Sequence, residues 1–348
     1  MDSGDFGKTL LLAAGLLAGL TSCGGGGNPV SEPTEFAARA GPPSCEASAA
    51  RLVSGLASGS GSTVGPAGDL FVTEGATGRI LRVDPETGQV TTYASGLPPS
   101  IVGIGGAMDI AFIGNTAYVL VTLVGPDVGG SSVVGIYRVD GPDSFTVVAD
   151  IGAFALANPP STLFNVPTGV QYALDTYRGG FLVTDGHHNR VLQVALDGTI
   201  TEAATFGNIV PTGLAVRGDT VYMAQAGPLP HLPQNGRVVS FTAKSGAATQ
   251  VAAGAPLLVD VEFGRGRRLY ALSQGIWLGG LEGSPASANT GTLVEINEDG
   301  TFTVLAEGLD RPTSLELIGN TAYVVTLTGE VWKIDNVSCP PFGVSASR

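Results

Sequence analysis

The chain holds three histidines, and all of them fall within one stretch: His187 and His188 in Asp185-Gly186-His187-His188-Asn189, and His231 in an excursion at 227–235 that follows Gln225. Imidazole binds zinc, copper or iron and moves protons near neutral pH. On that chemistry His187, His188 and His231 with Asp185 form a metal or acid–base site. The opposing reading is that these side chains brace turns or touch a ligand. No His-x-x-x-His spacing is present, and adjacent residues on extended backbone point to opposite sides. Asn165, before Val166-Pro167-Thr168, and Asn208, before Ile209-Val210-Pro211-Thr212, add further polar groups. The candidate ligand face is therefore Asp185, His187, His188, Asn189, Gln225, His231, Asn165 and Asn208. A second set is hard and anionic: Asp109, Asp260 and Glu74, with Asn165 and Asn208, would suit calcium. Nucleophilic catalysis has little support, because no Gly-x-Ser-x-Gly elbow occurs.

These groups must be positioned by repeated elements. A pattern of turn residue, any residue, two apolar, polar, apolar, polar recurs, as in Gly78-Arg79-Ile80-Leu81-Arg82-Val83-Asp84 and Gly329-Glu330-Val331-Trp332-Lys333-Ile334-Asp335. Six copies are spaced as stacked supersecondary units. An apolar strand precedes each copy, such as Leu269-Tyr270-Ala271-Leu272, and a hairpin strand follows each but the last. Small-residue segments open the units: Thr168-Gly169-Val170, Thr212-Gly213-Leu214 and Thr313-Ser314-Leu315. Four strands per unit predict an all-β, six-bladed β-propeller. In that fold the loops entering the innermost strand share a face with those joining the second and third strands. This gathers all three histidines on one face. Asp109 in blade two and Asp260 in blade five would face each other across the central channel, with Gly169 and Gly213 at the matching positions of blades three and four. The other reading for both acids is that they cap strand entries or hold water.

The sixth unit lacks a fourth strand, and Arg51-Leu52-Val53-Ser54-Gly55-Leu56 resembles the fourth strands of other units. The expectation is that residues 50–56 pair with 329–335 and close the ring, since an open ring exposes two edges. Cys45 and Cys339 flank those segments. A Cys45–Cys339 disulfide would close nearly the whole chain into one loop and stabilise it by about 4–5 kcal/mol; the other reading is two free buried thiols.

Residues 1–22 read as a leader rather than fold, because the apolar run at 9–20 is too short to span a membrane. Leu20-Thr21-Ser22-Cys23 resembles the lipobox of bacterial lipoproteins, which implies cleavage before Cys23 and acylation of its thiol. Asp2 and Asp5 against a single Lys8 depart from the usual basic start, and the alternative is an ordinary secretory leader. Either reading places the protein outside the cytoplasm, in an oxidising space. Residues 23–44, rich in Gly, Pro and Ser, read as a tether, residues 45–340 as the propeller and 341–348 as a tail. The net charge is −13, and past the leader only Lys244 and Lys333 remain as lysines. Such a surface repels phosphate backbones and anionic lipid. Nucleic acid is thus excluded as a partner, and membrane contact is left to the anchor.

The stretches Val166-Pro167-Thr168-Gly169-Val170, Phe181-Leu182-Val183-Thr184-Asp185-Gly186-His187-His188-Asn189-Arg190-Val191-Leu192 and Ala224-Gln225-Ala226-Gly227-Pro228-Leu229-Pro230-His231-Leu232-Pro233 are similar to the ScyD/ScyE family. The resemblance spans about 52–336 and implies a six-bladed, NHL-like propeller outside the cytoplasm, with no settled reaction. Wider relatives of that family include metal-dependent lactonases and quinoprotein sugar dehydrogenases, whose catalytic motifs find no match here. The leading expectation is a monomeric, non-catalytic module that binds a small molecule or an extracytoplasmic protein at its long rim loops. The alternative is a metal-dependent hydrolase or oxidoreductase at the channel mouth, using Asp109, Asp260, Asp185, His187 or His231 with calcium or a transition metal.

Overall fold

Six four-stranded antiparallel sheets are arranged as the blades of a β-propeller. The computed structural model describes residues 46–243 and 247–338. The leader, the tether, the tail, Cys23, and the Cys45–Cys339 pair lie outside the described residues.

Each pattern copy forms the third strand of its blade, for example Arg79–Val83, Arg190–Val194 and Val331–Asp335. Its alternation puts one face into each junction between neighbouring blades. Each of the six junctions holds an apolar cluster. Phe71, Ile80, Ile110 and Val119 lie between blades one and two, and Tyr270, Leu272, Leu315 and Val324 between five and six. The ring closes as the sequence predicts. Ser48–Val53 pairs antiparallel with Val331–Asp335, from Ser48 opposite Asp335 to Val53 opposite Val331. Val53, Leu70, Val72, Tyr323 and Val331 then pack the last junction, and the Tyr323 hydroxyl donates to Pro85 O at 3.0 Å.

Two features differ from the sequence reading. The innermost strand of blade three is Gln171–Tyr177, three residues beyond the expected opening at Thr168. Gly169 has φ +79°, which belongs to a turn and not to a strand. The Val-Pro-Thr-Gly strings of blades three and four are therefore not structurally equivalent: Gln171 pairs with Asp185, whereas in blade four Pro211 pairs with Gln225. The second feature is a short helix, Ile151–Ala157, after the outer strand of blade two. Asp150 caps it by accepting from the Ala153 amide, and the Ala-rich run behind an Asp was the available signal.

Candidate functional site

The innermost strand of a blade has a free edge at the propeller axis, and its N–H groups need acceptors. Carboxylates supply them. Asp109 accepts from the Leu174 amide of the next blade at 2.7 Å, Asp175 from Val216 at 2.9 Å, and Asp260 from Leu315 at 2.8 Å. The second oxygen of each takes the following amide of its own strand, at 2.9, 2.6 and 2.9 Å. Glycine in the preceding blade makes room for this. A Cβ on Gly61 would lie 2.3 Å from an Asp109 oxygen, and one on Gly213 would lie 2.1 Å from an Asp260 oxygen. Asp109 and Asp260 thus act as inter-blade braces, and Gly213 rather than Gly169 is the glycine that matches them.

Register shows a second tier of acids. Asp175, Glu262 and Glu316 lie opposite Leu182, Tyr270 and Tyr323, the same repeat position in three blades. With Asp109 and Asp260 they line one central cavity of about 420 Å³, in which no Lys or Arg takes part. Burial raises all five carboxyls, and repulsion from the other acids adds to it for all but Asp175: Asp175 rises to about 6 and Asp260 to about 7, with Asp109, Glu262 and Glu316 well above the usual range. Each keeps part of its surface open to the cavity, so its hydration is reduced and not abolished.

Tyr172 lies near two of these acids, Asp260 and Asp109. Its hydroxyl crosses from blade three to blade six and donates to Thr313 O at 2.8 Å. Burial, then the nearby Asp260 and Asp109, push its pKa far up and keep the hydroxyl protonated.

The histidines lie among the loops. His187 Nε2 accepts from the Asn165 and Val166 amides at 2.8 and 3.1 Å. Its Nδ1–H then donates to Glu282 at 3.1 Å, and the Asn165 side-chain amide donates to the same carboxylate at 3.3 Å. Glu282 belongs to the long loop of blade five, so this clasp bridges blades five and three. His188 Nε2–H donates to Val166 O at 3.0 Å, and Nδ1 accepts from Arg190 at 3.1 Å. These tautomers are assigned from the partners, and His188 Nδ1 also lies 3.2 Å from the Asp185 carboxylate.

Asp185 is buried. It accepts from the Val170 and His188 amides and from the Gln171 side chain, and it lies 3.6 Å from Arg190. Arg190, itself 1% exposed, also reaches Asn158 O and Glu202, both at 2.7 Å. Asn189, at φ +55°, accepts from the Ile209 and Val210 amides at 2.9 Å. These residues lock loops together. His231 Nδ1–H donates to Gly227 O at 2.7 Å, and its ring lies edge-on to Trp277. Gln225 is buried, and Asn208 is exposed.

The expected calcium set is not assembled. Asp109 and Asp260 share the cavity, but Asn165 and Asn208 lie among the loops. Glu74 is bound in its own turn by Arg79, Thr77 and the Ala57 amide. Burial would raise the Glu74 carboxyl, yet those donors outweigh it and hold it low. Among the described residues no group of three or more His, Cys, Asp or Glu side chains is placed to hold a metal ion. Sequence reasoning missed Asp175, Glu262, Glu316, Tyr172 and Glu282. Aligning the first strands through Tyr270 and Tyr323 of the second strands would have found Glu262 and Glu316.

No family model matches the chain, and no curated protein matches it either. Solved structures do. A gluconolactonase of Xanthomonas campestris superposes with TM-score 0.58 at 14% identity, covering 83% of this chain and 89% of that one. The virginiamycin B lyase of Staphylococcus aureus gives 0.52 at 13%, covering 83% and 99%. A PQQ-bound aldose sugar dehydrogenase of Streptomyces coelicolor gives 0.51 at 17%, covering 84% and 98%. The likeness is one of fold. At such identities the six-bladed propeller is what is shared.

Proposed function

We propose that this is an exported propeller of the ScyD/ScyE type, held to a membrane by a lipid on Cys23, that works as a non-catalytic binding module through its loop face. One observation carries the reading: His187 and His188 have both ring nitrogens engaged within the fold, and Asp185 is paired with Arg190. Those side chains present no free base or ligand set. They stiffen a surface, which suits recognition.

Metal analysis of the purified chain tests this. The expected result is no stoichiometric metal. Calcium or a transition metal at one equivalent, lost on Asp109→Ala or His187→Ala, would overturn it. Radiolabelled palmitate tests the anchor, with label expected on the wild type and absent from Cys23→Ser.

One observation favours a second reading, in which the channel performs hydrolysis or redox chemistry. The Asp260 carboxyl, raised to about 7, is poised as a general acid near neutral pH. The gluconolactonase and the sugar dehydrogenase of like fold suggest substrates to try. Turnover of sugar lactones that disappears in Asp260→Ala, while the chain stays folded, would establish this second reading.

A further inference from the structure

Among the described residues, the most exposed large apolar side chains gather on the loop face. Leu163 is 99% exposed, Leu281 84% and Leu278 82%. Ile101, Leu229 and Ile276 project beside them. They come from four separate loops, at 98–105, 158–166, 226–236 and 274–290. Those loops contain one formally charged residue, Glu282, in a protein of net charge −13. That one carboxylate accepts hydrogen bonds from His187 and Asn165 and stays 57% exposed.

The tips are also held in place. Ser287 N–H bonds Ile276 O at 2.8 Å, Ser284 N–H bonds Leu281 O at 3.0 Å, and His231 N–H bonds Pro228 O at 2.8 Å. Ordered apolar tips of this kind are not what collapsed, floppy loops present.

We infer that the loop face docks on an uncharged lipid surface. This deepens the reading of that face as the working surface and rests on it. The charge pattern selects the occupant. An acidic protein that keeps all but one charge out of the four loops bearing its barest leucines offers tips suited to a neutral, apolar phase and not to an anionic or cationic partner. The exposure pattern selects it further. A leucine 99% exposed is not walled into a groove, so a small ligand would leave it in water. Scattered protruding tips fit a fluid interface, which moulds to them, whereas a protein partner needs a matching socket for each. The described chain begins at the other end of the blades, since Ser48 pairs with Asp335 at the hairpin end.

The test uses the full chain with Cys23→Ser, and the same chain carrying Leu163→Ser, Leu278→Ser and Leu281→Ser. Both are mixed with phosphatidylcholine vesicles and sedimented. The triple variant is expected to partition at least 10-fold less, with an unchanged melting curve. Partition of the parent should change less than 2-fold between low and high salt, and should fall when phosphatidylglycerol is added. Equal partition of the two chains would overturn the inference, because the shared leader would then carry the binding. Strong loss of binding with salt would overturn it, as would a parent dimer that the triple variant dissolves, because the occupant would then be a second copy. No partition by either chain would overturn the lipid surface alone. The loop face as a binding surface fails separately, on the metal and turnover measurements above.

Discussion

Glu316→Gln should stabilise the protein at alkaline pH and leave it unchanged in acid. Glu316 faces the central cavity and makes no side-chain hydrogen bond among the described residues, so the amide removes charge without removing a brace. A space of about 420 Å³ is roughly 9 Å across, and two carboxylates that far apart at an effective dielectric of about 40 repel by about 1 kcal/mol. Four other carboxyls share the cavity. Since all five are partly open to channel water, the net relief is on the order of 1–2 kcal/mol rather than the sum of every pair.

The sign follows from proton uptake. In the unfolded chain these groups ionise near 3.8 for Asp and 4.5 for Glu, whereas in the fold Asp175 ionises at about 6 and Asp260 at about 7, with Glu316 well above its usual range. Between those limits the folded state holds more protons. Stability from these groups is full below pH 4 and is lost as pH rises through 6 and 7. Differential scanning calorimetry at pH 4 and pH 8.5 measures it. At pH 8.5 the variant should melt about 2–4 °C above wild type, at about 2 °C per kcal/mol for a domain of this size, and the two should coincide at pH 4. A gain of equal size at both pH values, or a loss at pH 8.5, would refute the reasoning.

Arg190→Ala should cost about 3–5 kcal/mol in urea unfolding, because it leaves Asp185 buried and without its cation. Tyr172→Phe should cost only about 1 kcal/mol, the worth of one hydrogen bond, by the same measurement. Glu282→Ala should leave the melting temperature within about 1 °C, since surface pairs contribute little. It should nevertheless speed amide exchange across 276–287 by releasing the clasp to His187 and Asn165.

The repeat pattern made the ring legible. Each copy buries alternate residues in a junction, so strand identity, blade count and the pairing of the Arg51 strand with the Trp332 strand all follow from local alternation. Blade three was misread because Val166-Pro167-Thr168-Gly169 copies a string from blade four. Likeness between short strings cannot report that Gly169 turns while Gly213 runs extended. The candidate site was harder for a related reason. Asp109 and Asp260 could be placed on the axis from their repeat position, but a linear sequence does not show that an aspartate accepts a neighbouring blade's amide. His187 and His188 looked like chemistry because imidazole is versatile. What decided their role was Asn165, Val166, Glu282 and Arg190, which approach from loops up to 95 residues away.

The two ends of the axis therefore carry different physics. The channel end gathers five acids with raised pKa values and no cation, and the loop end carries hydrogen-bonded imidazoles and exposed leucines. Burial of Tyr172, then the nearby Asp260 and Asp109, keep its hydroxyl from ionising. A reaction that needed Asp260 as acid and His187 as base would require His187 to give up both backbone amides. Those are two hydrogen bonds, each worth about 1 kcal/mol net, before any substrate is bound. The same separation lets a surface change at Leu163 or Leu281 and a charge change at Glu316 act independently, so the double variant should show the vesicle defect of one and the alkaline stabilisation of the other, added within about 0.5 kcal/mol.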